Sequence, residues 1–241
     1  MEFYMFKLLK KIVFIFCIVA SDCSIASHQT PDLTDEETTI LCQKSFRTAE
    51  EKEVLFKALG VQYTKRVIPH ELMKSSLYDQ CFYNVFKLSW RNARAMKKYA
   101  SFATKIERNY IAPISIQWIN SDIGFGAFAQ TNLQTGEFVG EYTGKIKDNS
   151  SIEDHRYAWG IWMGRTQGED EFLVDALHHG NELRFVNDDG YKSNCQSAPI
   201  IGKDGIIHVI YKTRRAIQAG EQLTINYGED YWEGSTQTRI L

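Results

Sequence analysis

The sequence has few cysteines, and none of them forms a close pair. Five cysteines are scattered over 241 residues without a Cys-x-x-Cys spacing. A structural zinc ion usually takes its ligands from such pairs, so the spacing argues against one and predicts no metal. The same scatter gives no disulfide framework.

The chain also has no hydrophobic run of the length that a membrane helix needs. The apolar stretch at residues 12–20 has nine residues, which is too short for a comfortable span, so no stable membrane span is expected. Lysines precede this stretch and small residues follow it, which is the order of a secretory signal peptide cleaved near Ala26. Residues 1–26 are therefore predicted to be a signal peptide. An uncleaved hydrophobic segment or a buried first helix is the alternative.

The net charge of the whole chain is small, but its two parts differ in sign. Residues 27–112 contain 14 Lys/Arg and 10 Asp/Glu, whereas residues 113–241 contain 11 and 18. An acidic C-terminal part argues against direct binding of nucleic acid and is compatible with a basic partner. An ordinary solvated acidic surface would give the same counts.

Residues 27–112 are predicted to form a helical N-terminal region. Thr34, followed by Glu37 three positions later, is a capping box at a helix start. Gly60 is a suitable helix end. After Pro69, apolar residues recur at helical spacing, which predicts a second helical stretch extending to about Arg108.

From residue 113 onward the pattern changes to short β-type runs separated by glycines. Examples are "ISIQWI", "GEFVGEYTG" and "EQLTINYG", and their spacing suggests small sheets joined by long loops. No strand–helix–strand alternation and no repeat is visible. The expected fold class is α+β, with a helical region followed by a mainly-β domain at residues 113–241.

Four short motifs follow one another in this β-rich part. In "GFGAFA", Gly124 and Gly126 flank Phe125, so the backbone can turn tightly and approach a ligand closely. The motif lacks the third glycine of the dinucleotide-binding fingerprint. "GEYTGK" contains Tyr142, "ELRFVNDDGYKSNC" places an arginine in an apolar run before a polar loop, and "GEQLTINYG" contains Tyr227. Each motif alone is compatible with an ordinary turn or strand.

Together and in this order, the motifs resemble the SET domain, the fold of one large class of protein lysine methyltransferases. The resemblance runs from about Ile114 to Trp232, roughly half of the chain. It implies several small sheets in which the Arg-Phe-x-Asn segment and the C-terminal signature form a pseudoknot. The matching segments are Gly124 to Gly126, Asp175-Ala176, Gly180-Asn181, Arg184 to Asn187, Asn194-Cys195 and Gly220 to Gly228.

The resemblance implies that the cofactor is S-adenosylmethionine, without a metal. It assigns cofactor binding to Gly124, Phe125, Gly126, Tyr157, Arg184, Phe185, Asn187 and Asp188. Trp232 is expected to replace the zinc-binding cysteine cluster that closes the channel in many members, by stacking on the cofactor or by capping the lysine entrance, with ordinary surface packing as the alternative. Asp188 departs from the family, which usually has histidine after that asparagine. If the cofactor contact is made by the backbone, aspartate can serve, whereas a contact that needs the imidazole would be weakened.

The resemblance also implies a tyrosine-lined channel for the lysine substrate. Tyr227 is the essential catalytic tyrosine, Tyr142 lines the opposite wall, and Ile225 occupies the position where many members carry a Phe or Tyr that tunes the number of methyl groups. The lysine must react as the neutral amine although its ordinary pKa is about 10.4. Desolvation and a neighbouring positive charge both lower that pKa, which suits neutral phenols better than carboxylates.

The leading hypothesis from the sequence is therefore an S-adenosylmethionine-dependent protein-lysine N-methyltransferase acting on a lysine-bearing protein, for which a histone tail is the family's usual example. The alternative is a catalytically inactive SET-like module that binds a protein. Because S-adenosylmethionine is made inside cells, the predicted signal peptide suggests a secreted bacterial effector that acts inside a host cell. Cytoplasmic location in the producing cell is the alternative.

Overall fold

Short strands dominate the part of the chain that the structure describes. The structure, a computed structural model, describes residues 34–70, 100–161, 172–201 and 207–233. The strands are β1 Ser45–Phe46, β2 Gln62–Tyr63, β3 Ile114–Asn120, β4 Gly124–Ala129, β5 Phe138–Tyr142, β6 Lys145–Asp148, β7 Ala158–Ile161, β8 Phe172–Asp175, β9 His179–Gly180, β10 Asn187–Asp188, β11 Cys195–Ile201, β12 Ile207–Thr213 and β13 Thr224–Ile225.

The strands form small sheets rather than one large one. Three sheets have three antiparallel strands each, in the orders β1-β3-β4, β6-β8-β7 and β11-β12-β5. Two further pairs, β2 with β9 and β10 with β13, are parallel. The expected α+β class, with helices before a mainly-β part made of several small sheets, is confirmed.

The helices lie mainly in the N-terminal part of the described chain. They are α1 Asp35–Gln43 and α2 Ala49–Ala58, together with helical residues 100–107 and the short α3 Glu229–Glu233. None of the helices within the described ranges is long and apolar enough to cross a membrane.

The predicted capping box at α1 is present. The Thr34 hydroxyl accepts a hydrogen bond from the Glu37 amide at 3.3 Å, and the Glu37 carboxylate accepts one from the Thr34 amide at 3.0 Å. A second capping box, formed by Thr48 and Glu51, starts α2 and was not predicted. Just beyond α2, Gly60 has a φ of +65°, so a glycine does stand at the predicted helix end.

The N-terminal region also contains strands, which the helical prediction did not include. β1 pairs with β3 and so extends a sheet from a later part of the chain, whereas β2 forms a two-stranded sheet with β9. The Ile68 amide donates to Gly144 O and the Ile146 amide donates to Ile68 O, both at 2.8 Å. The second predicted helical stretch lies largely at residues 71–99, outside the described residues. Its described end, residues 100–107, is helical, in agreement with the prediction.

One hydrophobic core joins the N-terminal helices to the β-rich part. Phe46, Leu55 and Phe56 are almost completely buried and belong to the same cluster as Leu183 and Ile225. Burying aromatic and aliphatic side chains is the main stabilising contribution to such a fold. Residues 34–70 are therefore packed into the β-rich part and do not form a separate core.

One covalent link was not predicted. Cys42, near the end of α1, is disulfide-bonded, although the cysteine spacing gave no disulfide framework. The spacing failed because a disulfide depends on distance in the folded chain and not on distance in the sequence.

Candidate active site

The glycine motif forms β4 and lies at the edge of the candidate site. Gly124 opens the strand with a φ of +81°, a conformation that favours glycine. A Cβ added at Gly126 would lie 2.6 Å from Ile119 Cδ1 and 3.1 Å from Gln222 Nε2, so this glycine permits close packing. The Phe125 ring between them is buried and packs edge-on against Phe185, with ring centroids 6.0 Å apart.

The apolar run that carries an arginine forms a 3₁₀ turn at Glu182–Phe185. Arg184 is 6% exposed, and its Nε donates to Ala176 O at 3.0 Å. The guanidinium carbon lies 4.1 Å from the centroid of the Tyr157 ring, a cation–π contact. Nη1 is buried and has no hydrogen-bond partner within the described part of the chain. A buried donor of this kind is costly unless a ligand or a water satisfies it.

The polar loop after this turn is joined to the C-terminal signature. In the parallel pair of β10 and β13, Asn187 lies opposite Thr224 and Asp188 lies opposite Ile225. The Asn187 side-chain amide also donates to Phe125 O at 3.1 Å, which connects the loop to β4. The segments that the predicted pseudoknot brings together are therefore in direct contact.

Asn194 strengthens this contact from the other end of the loop. Its side-chain oxygen accepts a hydrogen bond from the Thr224 amide at 2.9 Å, and its side-chain nitrogen donates to Gln222 O at 2.7 Å. Because Asn194 is buried, these bonds are protected from water and fix the register of β13.

Two tyrosine hydroxyls donate to backbone carbonyls. The Tyr227 hydroxyl donates to Val186 O at 2.9 Å, and the Tyr142 hydroxyl donates to Tyr157 O at 2.6 Å. Each phenol uses its one proton in this way, so its oxygen keeps acceptor capacity for a second group.

Electrostatics keep both phenols neutral. Burial raises the pKa of Tyr227 well above its ordinary value, and the nearby phenols of Tyr231 and Tyr142 raise it further. Burial also raises the pKa of Tyr142, although the Arg184 charge opposes that shift. A cluster of neutral phenols presents oxygen acceptors without a full negative charge.

An aromatic group extends from Tyr227 to α3. The Tyr227 and Trp232 rings are stacked, with centroids 6.4 Å apart and planes at 16°. Tyr231 packs edge-on against both rings, at 4.7 Å from Tyr227 and 5.0 Å from Trp232. The predicted site residues Tyr227 and Trp232 are thus in contact.

Ile225, the residue predicted to lie in the lysine channel, is in the hydrophobic core. It is 2% exposed and belongs to the main hydrophobic core, directly beside Asp188 in the parallel pair. Its assignment to the lysine channel remains a prediction, as do the individual roles of the other site residues. Within the described ranges, no group of three or more His, Cys, Asp or Glu side chains could hold a metal ion.

The sequence profile of the SET domain matches residues 124–228. These residues are a SET domain. The match spans the glycine motif, the loop around Asn187 and the C-terminal signature, which the structure brings together.

The chain is similar to several histone-lysine N-methyltransferases. It is 29% identical over 113 residues to histone-lysine N-methyltransferase ASHH3 of Arabidopsis thaliana, covering 43% of this chain and 29% of that protein. It is 36% identical over 108 residues to human histone-lysine N-methyltransferase 2B, covering 43% and 4%. It is 24% identical over 230 residues to mouse histone-lysine N-methyltransferase EHMT1, covering 90% and 14%. The match thus spans less than a third of each relative.

Among solved structures, the chain resembles ATXR5, which was solved in complex with histone H3.1. The TM-score is 0.52 at 16% identity, and the likeness covers 73% of this chain and 85% of that chain. At this identity the likeness concerns the fold.

Sequence reasoning missed two residues beside the site. Tyr211 of β12 is buried, and its ring stacks on Tyr142 with centroids 5.8 Å apart. Glu182 is a buried carboxylate that accepts a hydrogen bond from Tyr63 at 3.0 Å. Tyr211 ends the apolar run "IIHVIY". Pairing of this predicted strand with the "GEYTG" strand would have placed Tyr211 near Tyr142, and this was the signal available in the sequence. Nothing in the sequence indicated the partners of Glu182.

Proposed function

We propose that the protein is an S-adenosylmethionine-dependent protein-lysine N-methyltransferase. The observation that supports this most is a pair of neutral phenols, the buried Tyr142 and the partly buried Tyr227, each donating its proton to a backbone carbonyl. In this proposal Tyr227 and Tyr142 are the catalytic residues. The proposed domain bounds are residues 113–241, preceded by an N-terminal region at residues 27–112.

The phenols have a defined task in such a reaction. The lysine amine attacks as the neutral base, so its surroundings must not stabilise the ammonium ion. Neutral oxygens accept a hydrogen bond from the amine and weak CH···O contacts from a methyl group, which aligns the two for in-line displacement. A carboxylate at the same place would hold the proton on the amine.

The residues present fit the proposed cofactor. Nη1 of Arg184 is a buried donor without a partner within the described residues, and the guanidinium lies over the Tyr157 ring. This donor is available for a hydrogen bond to an acceptor atom of a bound ligand. The neighbouring aromatic group of Tyr227, Tyr231 and Trp232 suits a cation. When bound, S-adenosylmethionine supplies the electrophilic methyl group. The remaining proposed contacts are Gly124, Phe125, Gly126, Phe185, Asn187 and Asp188, with Ile225 in the lysine channel.

The proposed substrate is a lysine-bearing protein, with a histone tail as the first candidate. The relatives' names point in this direction, and the acidic balance of residues 113–241 suits a basic peptide. Direct binding of nucleic acid is not part of the proposal.

The proposed location is outside the producing cell, with action inside a host cell. The basic, apolar and small-residue order of residues 1–26 supports export, and the disulfide at Cys42 is typical of an oxidising compartment. Detection of the protein in culture medium, with a mature N-terminus near residue 27, is the expected result. Recovery only from the producer's cytoplasm would favour the cytoplasmic alternative.

The test of activity is transfer of labelled methyl groups to mixed histones and a lysine-rich protein panel. Tyr227→Phe removes one hydroxyl, and we expect at least about 100-fold less transfer, the usual loss when one preorganised polar group is removed from a reaction site. Tyr191→Phe is the matched control, because Tyr191 is 80% exposed. Transfer unchanged in Tyr227→Phe would contradict the assigned role. The absence of both transfer and cofactor binding in the wild type would favour a protein-binding module.

A further inference from the structure

The Asp188 carboxylate joins two backbone amides from different parts of the chain. Its Oδ1 accepts a hydrogen bond from the Tyr227 amide at 2.8 Å, across 39 positions of sequence. Its Oδ2 accepts one from the Gly190 amide at 3.1 Å. Both oxygens of one side chain are therefore used to connect the polar loop to the C-terminal signature.

The contact lies where the parallel pairing of the two segments ends. The strand partners are Asp188 and Ile225, and the Asp189 amide adds a hydrogen bond to Ile225 O at 3.1 Å. Three residues after Ile225 the chain turns at Gly228, which has a φ of +92°. The backbone of Tyr227 lies between the end of the strand and this turn, so a side-chain acceptor is needed to hold it.

Tyr227 is attached to the same short segment at both of its ends. Its amide donates to the Asp188 carboxylate, and its hydroxyl donates to Val186 O at 2.9 Å. Residues 186–188 thus determine both where the Tyr227 backbone lies and where its phenol points. A shift of either attachment would move the phenol oxygen relative to Tyr142.

The chemistry of the aspartate matches this arrangement. An ionised carboxylate is an acceptor at both oxygens, whereas a neutral imidazole accepts at one nitrogen and an amide side chain at one oxygen. Hydrogen bonds to a charged acceptor are also stronger than bonds between neutral groups. Aspartate is therefore a short side chain that offers each of the two backbone amides a separate, charged acceptor oxygen.

We infer that Asp188 is a positioning residue, whose carboxylate fixes the backbone of Tyr227 and thereby the phenol. The side chain that departs from the usual histidine of SET domains thus has a structural partner of its own in this chain. The consequence for catalysis rests on the proposed function, whereas the attachment of the two amides does not.

Hydrogen exchange of individual amides, measured by NMR on the full chain, tests the attachment directly. Asp188→Ala removes both acceptors, and we expect the Tyr227 and Gly190 amides each to exchange at least about tenfold faster. Asp188→Asn keeps the shape and one acceptor oxygen, so only one of the two amides is expected to lose its protection. This near-isosteric variant keeps the test valid if Asp188→Ala does not fold.

The neighbouring aspartate provides a matched control. Asp189→Asn removes the same charge one residue away, and the Asp189 side chain is exposed and makes no capping hydrogen bond in its turn. We expect wild-type exchange at both amides in this variant. The inference would be overturned if the exchange rate of each of these two amides, Tyr227 and Gly190, were the same in the wild type and in every variant.

Methyl transfer supplies the second measurement. In an active wild type, Asp188→Ala is expected to lower kcat at least about tenfold with a smaller change in the KM for protein substrate, because Tyr227 is displaced rather than the peptide site. Asp188→Asn is expected to restore part of kcat. Unchanged kcat in both variants would overturn the positioning role. If the wild type is inactive while the exchange pattern is as expected, the proposed function fails and the attachment stands.

Discussion

Lys52 and Glu182 lie 130 positions apart in the sequence, and Lys52 Nζ is 3.3 Å from Glu182 Oε1. Both side chains are largely buried, at 12% and 7% exposure, and the Tyr63 hydroxyl donates to the other Glu182 oxygen. Helix α2 and strand β2 therefore hold the start of the 3₁₀ turn that carries Arg184. This relationship makes residues 34–70 part of the support of the candidate site.

Removal of the Lys52 charge is expected to destabilise the protein. Lys52→Met leaves the Glu182 carboxylate buried without its cation, which should cost about 3 kcal/mol of unfolding free energy in urea denaturation. Lys44→Met is the control, because the Lys44–Glu51 pair is about one-third exposed at each end and should contribute less than about 1 kcal/mol. Equal effects of the two changes would show that the buried pair gives no special support.

Gly144 is expected to tolerate no side chain. An added Cβ would come into severe contact with the Asp175 carbonyl group, with the carbonyl carbon 2.7 Å away, and backbone cannot move aside cheaply. Gly144→Ala should therefore cost about 3 kcal/mol or more. Gly136→Ala is the contrast, since it has open space but a φ of +77° and should cost about 1 kcal/mol. Thermal unfolding of the two variants measures both losses of stability. A larger loss in Gly136→Ala than in Gly144→Ala would contradict the close packing at Gly144.

Tyrosines that are buried or partly buried are expected to make the protein sensitive to alkaline pH. Burial raises the pKa of Tyr142, Tyr211 and Tyr227 above the ordinary value of about 10. The folded state then keeps protons that the unfolded chain loses, so this stability is complete below pH 10 and falls as pH rises above it. Three such groups lower the unfolding free energy by about 4 kcal/mol per pH unit.

Urea denaturation at about pH 9 and about pH 11 measures this loss. Tyr211→Phe removes one of these groups and should make the decline with pH less steep by about 1.4 kcal/mol per pH unit. A decline that began well below pH 10 would point to other groups.

Cys195 is expected to be unreactive in the folded protein. It is 1% exposed, and burial raises the pKa of its thiol to about 12. Because the thiolate is the reacting form, alkylation at neutral pH should be slower than in the urea-unfolded chain by on the order of 1,000-fold. Mass spectrometry of the peptide that contains Cys195 measures both rates. Comparable labelling in the two states would mean that this strand opens readily.

The sequence predicted features that depend on neighbouring residues and segments that carry recognisable motifs. Gly124 was identified because a glycine beside an aromatic permits a tight turn, and it has a positive φ. Asn187 and Tyr227 were identified from the order of four motifs, and the structure brings their segments together. Thr34 and Glu37 were identified from capping chemistry, which acts within one helical turn.

The remaining features depend on partners that are distant in the sequence. β1 and β2 have two residues each, too few for any periodicity, and they are strands only because β3 and β9 lie beside them. Arg184 was recognised as unusual, but the Ala176 carbonyl and the Tyr157 ring that surround its charge could not be inferred from spacing. The two amides held by Asp188 likewise became visible only in the folded chain.

Both parallel strand pairs join segments that lie far apart in the chain: Gln62 with His179, and Asn187 with Thr224. Neither pair can form until its later segment has been synthesised, and closing such long loops slows folding. Tyr227 belongs to the last segment that these contacts require, because its amide and hydroxyl are both held by residues 186–188. During synthesis β2 therefore stays unpaired until β9 has been made, and the candidate site is assembled as one of the final events of folding.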